Sequence, residues 1–225
     1  MTRAHGVPRD LVVTLVALLP VLAWDISGLD LPVERLLGTA AGFGWRSHWL
    51  TSIVLHQGGR ALAWIVFGLL VVNVLRPLAG CSLPRAERLR WVLVTLAVLA
   101  VVPVFKDISA TSCPWSLAEF GGSAAYVPHW QLGLRDGGPG GCFPSGHATS
   151  AAAYFTGWFA LRTRHPLAAR RWLALALLLT LLFGAGQVLR GAHYVSHVLW
   201  AAWLCWAAAA LTAPRPAPAA AYAAP

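Results

Sequence analysis

A few histidines, one lysine and a glycine-flanked serine are the residues of this 225-residue chain whose types and spacing could do chemistry. Pro144-Ser145-Gly146-His147 stands just before a membrane-length apolar run, and His193 stands at the start of another run two crossings later. Two imidazoles on one membrane face can divide a phosphoryl transfer, one attacking phosphorus and the other protonating the leaving oxygen. The transfer also needs positive charge or N–H donors around the equatorial oxygens. Lys106, the one lysine in the chain, ends the apolar segment ahead of both motifs, and Arg190 comes just before His193. Ser145 and Gly146, immediately before an expected helix, can present backbone N–H groups where the helix dipole also favours an anion. Each element has a plainer reading as well. A histidine or lysine at a helix end can be an interfacial polar group, Pro-Ser-Gly can merely start a helix, and His193 with His197 has the i, i+4 spacing of a metal pair. Their joint order, spacing and membrane side favour the phosphoryl-transfer site.

A helix bundle must position these groups. Hydrophobic residues make up 58% of the chain, charged residues 11%, and mean hydropathy is +0.64, so its solvent is largely lipid. Apolar stretches at 10–28, 60–76, 89–105, 147–161, 172–189 and 194–211 predict an all-α, polytopic membrane protein with six transmembrane helices. The last two nearly merge, and as one helix from Trp172 to Leu211 they would run about 60 Å, twice a ~30 Å hydrocarbon core. A turn is therefore expected at Arg190-Gly191-Ala192-His193. Arg76, Arg85, Arg88 and Arg90 in one connection, and Arg162, Arg164, Arg170 and Arg171 in another, place those links in the cytoplasm. Arg3, Arg9 and Arg215 put both termini there. Crossing parity then collects Lys106, the 107–146 loop, His147 and the 190–193 turn on the outer side.

Residues 29–59 mix Trp45, Trp49, Leu50, Ile53 and Val54 with Arg46, His48 and His56, the pattern of an amphipathic helix in the outer interface. The twelve tryptophans read as interfacial belts, none of them catalytic. Arg3 and Arg9 ahead of an apolar run resemble a signal peptide, but Leu22-Ala23-Trp24 is a poor cleavage site, so the segment is expected to be an uncleaved anchor. Residues 1–213 form one membrane domain, and 214–225 a flexible Pro/Ala-rich cytoplasmic tail. A net charge of +9 raises the question of nucleic acid, but the arginines lie mainly in cytoplasmic loops without interleaved aromatics. Anionic lipid headgroups fit better.

Three segments, Lys106-Asp107-Ile108-Ser109-Ala110-Thr111-Ser112-Cys113-Pro114, then Pro144-Ser145-Gly146-His147, then Gln187 through His193 to His197, resemble the phosphatidic acid phosphatase type 2 superfamily of integral-membrane lipid phosphatases. That family's pattern is Lys-x6-Arg-Pro, Pro-Ser-Gly-His and Ser-Arg-x5-His-x3-Asp. The middle motif matches residue for residue. Lys106, Pro114 and His193 match the others, whereas Cys113 and Gln187 stand where the family has arginine and His197 where it has aspartate. The resemblance implies that His193 is the nucleophile, passing through a phosphohistidine, and that His147 is the general acid. Lys106, Ser145, Gly146 and Gln187 would hold the phosphate.

Physical reasoning accommodates the departures. Arg190 lies three residues beyond Gln187, so in a continuing helix both share a face and its guanidinium can replace the missing one. A neutral His197 can accept the hydrogen bond from His193 that an aspartate would. Without a carboxylate or cysteine–histidine ligand cluster the site is expected to need no metal, and no cofactor is implied. Cys113 and Cys142 share the outer loop and, in an oxidising compartment, can form a disulfide contributing roughly 3–4 kcal/mol by loop entropy; the alternative is two free thiols. Cys81 is expected in the cytoplasm and Cys205 in the last helix. Asp107, Glu119 and Asp136 read as solvated or salt-bridging acids, Gly137 to Gly141 as a hinge, and Trp115, Phe120, Tyr126 and Trp130 as bordering a lipid cleft or lying at the interface.

Taken with the resemblance, the expected activity is metal-independent hydrolysis of a lipid phosphate monoester or terminal diphosphate at the outer face of a bacterial inner membrane. Substrates known for the family include phosphatidic acid, phosphatidylglycerol phosphate, undecaprenyl diphosphate and phosphorylated lipid A. Transfer to a hydroxyl acceptor is the same chemistry. Two rivals remain open: a phosphate-lipid binder without turnover, and a transport protein whose histidines relay protons or hold metal.

Overall fold

The computed structural model describes residues 9–78 and 82–213. The expected tail at 214–225, together with Arg3, Cys81 and Arg215, lies outside them. Helix α1 (Arg9–Ser27) is followed by α2 (Asp30–Leu37), a two-residue hairpin of β1 (Gly38–Thr39) and β2 (Gly42–Phe43), and a π-helical segment, Leu50–Gly58, that runs straight into α3 (Gly59–Leu75). Then come α4 (Arg85–Ile108), a long loop with two short 3₁₀ turns, α5 (Gly146–Ala152), a 3₁₀ turn at Ala153–Phe155, α6 (Thr156–Leu161), α7 (Pro166–Leu189) and α8 (Val195–Leu211). Four helices, Arg9–Ser27, Leu50–Leu75, Arg85–Ile108 and Pro166–Leu189, are long and apolar enough to cross a membrane, and Val195–Leu211 is a shorter apolar helix.

Two expectations for the architecture differ. The amphipathic helix anticipated over 29–59 is instead α2, the hairpin and the π-helical segment, because Gly38, Gly42 and Gly44 break the run and Leu50 onward joins the second apolar helix. The 147–161 stretch is helical but broken at Ala153–Phe155, and almost all of it is buried. Its alanines explain this: Ala148, Ala152 and Ala153 are 0% exposed and let α5 lie close against α7 and α8, the small-residue packing that lipid-embedded helices use. Large apolar side chains face outward on the surrounding helices, Leu19 on α1, Trp64 on α3, Val104 on α4 and Leu181 on α7, which is how a surface solvated by lipid reads.

The turn expected between α7 and α8 is present, and its chemistry is local. Gly191 has φ +66°, its N–H donates to Val188 O and the Ala192 N–H donates to Gln187 O, the paired bonds of a Schellman cap. A Cβ at Gly191 would also overlap the Phe43 ring, so both backbone and space require glycine. The far end of the turn is capped from a distance: Asp30 accepts from the Ser196 N–H at 3.0 Å, from the Ser196 hydroxyl, and from Trp24 Nε1 at 2.8 Å. Helix α1 is held to α8 by Trp200 Nε1 to Asp25 Oδ2 (2.7 Å), Trp203 Nε1 to Thr14 O (2.9 Å) and Trp206 Nε1 to Thr14 Oγ1 (3.1 Å). These tryptophans are donors inside the bundle, and Trp91 is buried against Trp172, so the interfacial-belt reading fails for them.

Glu34, one turn beyond Asp30 on α2, is 0% exposed, and neither carboxyl oxygen has a hydrogen-bond partner among the described residues. Burial first, and the Asp30 charge second, push it up to about 9. A raised acid is neutral in the folded state, so its contribution is fully present below its ordinary value of 4.5 and is lost as pH rises toward 9. Glu34→Gln stays neutral throughout. The variant is expected to melt with wild type near pH 4.5 and increasingly above it by pH 8, the gap widening by at most about 1.4 kcal/mol per pH unit. A pH-independent gap in thermal melts of purified protein would refute this.

Candidate active site

Three segments meet at one end of the bundle. The strand of loop after α4 pairs with the one before α5, through Gly141 N–H to Ser109 O (2.8 Å) and Cys142 N–H to Thr111 O (2.9 Å). A Cys113–Cys142 disulfide joins them covalently, with Cα atoms 5.2 Å apart. Asp136, expected to be solvated or salt-bridging, is instead buried and pins the same loop by accepting from Ser112 N, Ser112 Oγ and Gly138 N. Trp115 N–H donates to Gly191 O, tying this loop to the α7–α8 turn. Glu119 does pair on the surface, with Arg35 at 2.6 Å.

Lys106 ends α4, and its stem passes Gly146 so closely that a Cβ there would stand 3.6 Å from Lys106 Cδ. Ser145 caps α5 by accepting from the Ala148 N–H at 3.3 Å. Its own N–H, expected to face an anion, donates to His197 O at 3.0 Å and is therefore occupied. The Gly146 N–H, at the first helical position, has no intrahelical acceptor and remains the available donor.

His147 and His193 are both buried, 7% exposed each. His147 donates from Nε2 to Leu55 O at 2.8 Å and packs on Phe183. Its ring also lies 4.6 Å from that of His56, which the sequence reading left among interfacial residues; Gln187 Nε2 in turn stands 3.4 Å from His56 Nδ1. His56 and Leu55 both come from the π-helical segment, whose wider turn changes which residues face inward. His193 turns Nδ1 toward Cys142, 3.5 Å from its sulfur, and burial, then the Lys106 charge, hold it down to about 3 against the opposing effect of its hydrogen bond to the Cys142 carbonyl. Positive charge on His147 or His56 acts on this ring in the same sense as Lys106, disfavouring its protonation.

His197 is brought beside His193, with ring centroids 5.8 Å apart, but it does not take the expected hydrogen bond from that ring. Its Nδ1 donates to the Cys142 carbonyl at 3.1 Å, because His193 lies ahead of α8, which begins at Val195, and both rings face the disulfide-bonded Cys142. Arg190 also departs from expectation. Helix α7 ends at Leu189, so Arg190 does not share a continuing face with Gln187; its Nε donates to Arg46 O at 2.9 Å, and burial together with the Arg46 charge lowers it. Its charge nevertheless reaches His147 and His56. A cysteine–histidine cluster, not anticipated, does exist: Cys113, Cys142 and His193 place their donor atoms within 4.8 Å of one another. With both sulfurs in the disulfide, neither offers the thiolate a metal would need.

Beside this cluster His129 stacks on Phe143 at 4.1 Å, and beyond it lies a cleft of about 910 Å³ lined by Leu22, Ile26, Phe105, Ile108 and Trp130.

The family model for the PAP2 superfamily matches residues 88–217. No curated protein sequence matches the chain. Among solved structures, the fold is similar to the crystal structure described as that of the first transmembrane PAP2 type phosphatidylglycerolphosphate phosphatase from Bacillus subtilis, with a TM-score of 0.55 and 19% identity over 91% of this chain and 94% of that one. At this identity the likeness is one of fold.

Proposed function

The chain belongs to the PAP2 superfamily, and from that membership and the geometry of its site we propose that it hydrolyses a lipid phosphate through a phosphohistidine on His193. The observation that carries this reading is the meeting of the three motif segments: Ser145 N–H donates to His197 O at 3.0 Å, the Lys106 stem passes Gly146, and His193 Nδ1 lies 3.5 Å from the Cys142 sulfur just ahead of Pro144. Hydrogen-bond partners assign the tautomers. With its Nδ1 directed at Cys142, His193 carries its proton there and keeps the Nε2 lone pair for attack. His147 is held by Nε2–H to Leu55 O, which makes Nδ1 the nitrogen that exchanges a proton with the substrate. Nε2 of His193 bonds to phosphorus as the ester P–O bond breaks, and His147, entering as the imidazolium beside the phosphate anion, gives its Nδ1 proton to the departing oxygen and is left neutral with Nε2–H on Leu55 O. Water then attacks phosphorus and the P–N bond breaks, while the neutral His147 takes a proton from that water on Nδ1, releasing phosphate and restoring His193. Lys106 and the Gly146 N–H stabilise the equatorial oxygens. Cys142 O, fixing His197 and facing His193, does the orienting work that a carboxylate does in the family pattern.

Six crossings, with α5 and α6 forming one of them, would put the site at the outer face of the inner membrane, as the arginine distribution predicts. The apolar cleft beside Phe143 suits the tail of a lipid whose headgroup enters the site. Purified protein is expected to release inorganic phosphate from at least one member of a panel of lipid phosphates, at a rate EDTA does not change. Retained binding of those lipids with no release would favour the binder; release abolished by EDTA would overturn the metal-independent chemistry.

A further inference from the structure

Four full positive charges, Lys106, Arg46, Arg60 and Arg190, stand at the site end, and none of them forms a salt bridge among the described residues. Lys106 acts on His193 and His197; Arg190 and Arg60 act on His56 and His147; Arg46 acts on Arg190. Among the described residues the ion pairs are Arg35–Glu119, His129–Asp25, Arg162–Asp10 and Arg164–Glu87, and none includes these four. Other acids in this part of the molecule are engaged or neutral: Glu119 pairs with Arg35, Asp136 is held by Ser112 and Gly138, Asp25 by Trp200 and His129, Asp30 by Trp24 and Ser196, and Glu34 is kept neutral by burial. Asp107, exposed at the end of α4, forms no salt bridge.

Two of the cations are deliberately crowded. Arg46 Cζ lies 4.6 Å and Arg190 Cζ 6.0 Å from the centre of the same Trp115 ring. The Arg190 Nε–H is spent on the Arg46 carbonyl, which fixes the fork while leaving its terminal nitrogens to bond outward. Guanidinium on an indole face is attractive, but two like charges on one ring repel unless an anion lies between or above them. A phosphate monoester carries at most two negative charges, which Lys106 and one arginine already match. Lys106 is the cation that acts on His193, whereas Arg190 acts on His56 and His147 and Arg46 acts on Arg190.

We propose that Arg46 and Arg190, set on Trp115, bind a second anionic phosphate of the substrate, beyond the phosphoryl group transferred to His193. This rests on the phosphatase reading above and narrows its substrate class. Two chemistries share the feature: a contiguous lipid diphosphate, and a phosphomonoester whose headgroup also carries a phosphodiester. A bulk anionic headgroup held at the rim is the competing account, and it would not discriminate between substrates.

Arg46→Gln is the informative variant, because its side chain is exposed and the carbonyl that receives Arg190 survives the change. The kcat/KM of the full chain in detergent is compared for farnesyl diphosphate against farnesyl phosphate, and for phosphatidylglycerol phosphate against phosphatidic acid. Wild type is expected to prefer the two-phosphate member of one pair, and Arg46→Gln to cut that preference at least about tenfold, the equivalent of about 1.4 kcal/mol, mainly through KM. Arg46→Lys should restore part of it. Loss confined to the farnesyl pair assigns a contiguous diphosphate; loss confined to the phosphatidyl pair assigns a separate phosphodiester. Equal change on both members of both pairs overturns the second subsite. Calorimetric binding of pyrophosphate against phosphate gives a readout without turnover. Tighter pyrophosphate binding that Arg46→Gln removes, in protein that hydrolyses nothing, would keep the subsite and sink the phosphatase; turnover with an unchanged preference would do the reverse.

Discussion

His193→Ala is expected to lower phosphate release by at least about 10³-fold, since it removes the atom to which phosphorus bonds and leaves only binding and electrostatic stabilisation. Nothing nearby can take over. His197 has its Nδ1 committed to the Cys142 carbonyl and is 1% exposed, His147 has Nε2 committed to Leu55, and the cysteine sulfurs are bonded to each other. Because His193 is buried, truncation leaves a void, and His193→Gln is the companion variant that fills it without supplying a nucleophile. Acid-labile labelled phosphate should be recovered on wild-type protein quenched during turnover of ³²P-labelled lipid phosphate, and on neither variant. Near-normal turnover by the glutamine variant would show that phosphorus is attacked directly by water. Wild type needs no deprotonation before attack, because its burial holds this ring neutral through the physiological range.

His147→Gln is expected to separate substrates by their leaving groups. An alkoxide leaving a lipid phosphate needs a proton in the transition state, so kcat/KM should fall by about 10²- to 10⁴-fold. Nitrophenolate needs none, and p-nitrophenyl phosphate should lose less than about tenfold in the phosphorylation step. The second step still requires His147 as base, so the variant given the nitrophenyl ester should accumulate labelled protein where wild type does not. Equal losses on both esters, with no accumulation, would move His147 from proton transfer to a purely structural place beside Leu55.

Local chemistry was legible before any coordinates. Pro144-Ser145-Gly146 starts a helix as its residue types require, Gly191 ends one, and Cys113 and Cys142 share a loop and do bridge. Apolar length located the helices, although α5 and α6 read like any other apolar run and their burial at the centre comes from alanines that only matter once neighbours are in place. Site contacts that cross the chain were not legible. His56 reaches His147 only because a π-helical stretch changes the phase of its helix, and a period of 3.6 residues assigns it to the wrong face. The spacing of His197 suggests that it serves His193, yet spacing is silent about the Cys142 carbonyl that takes its Nδ1 instead. Arg190 looked like a continuation of α7, and the Schellman cap turned it toward Arg46 instead. Asp30 reaches Ser196 across 166 positions, a separation that no local pattern announces.

The indole bonds between α1 and α8 bear on how the molecule is assembled in its bilayer. Trp200, Trp203 and Trp206 find Asp25 and Thr14 only on the first apolar helix, which lies before the family-matched region begins at residue 88. Left without those acceptors in hydrocarbon, each N–H would carry a desolvation penalty that lipid cannot relieve. Helix α1 is thus a docking surface for α8, and the turn bearing His193, at the head of α8, takes its seat from partners 166 or more positions away in the chain.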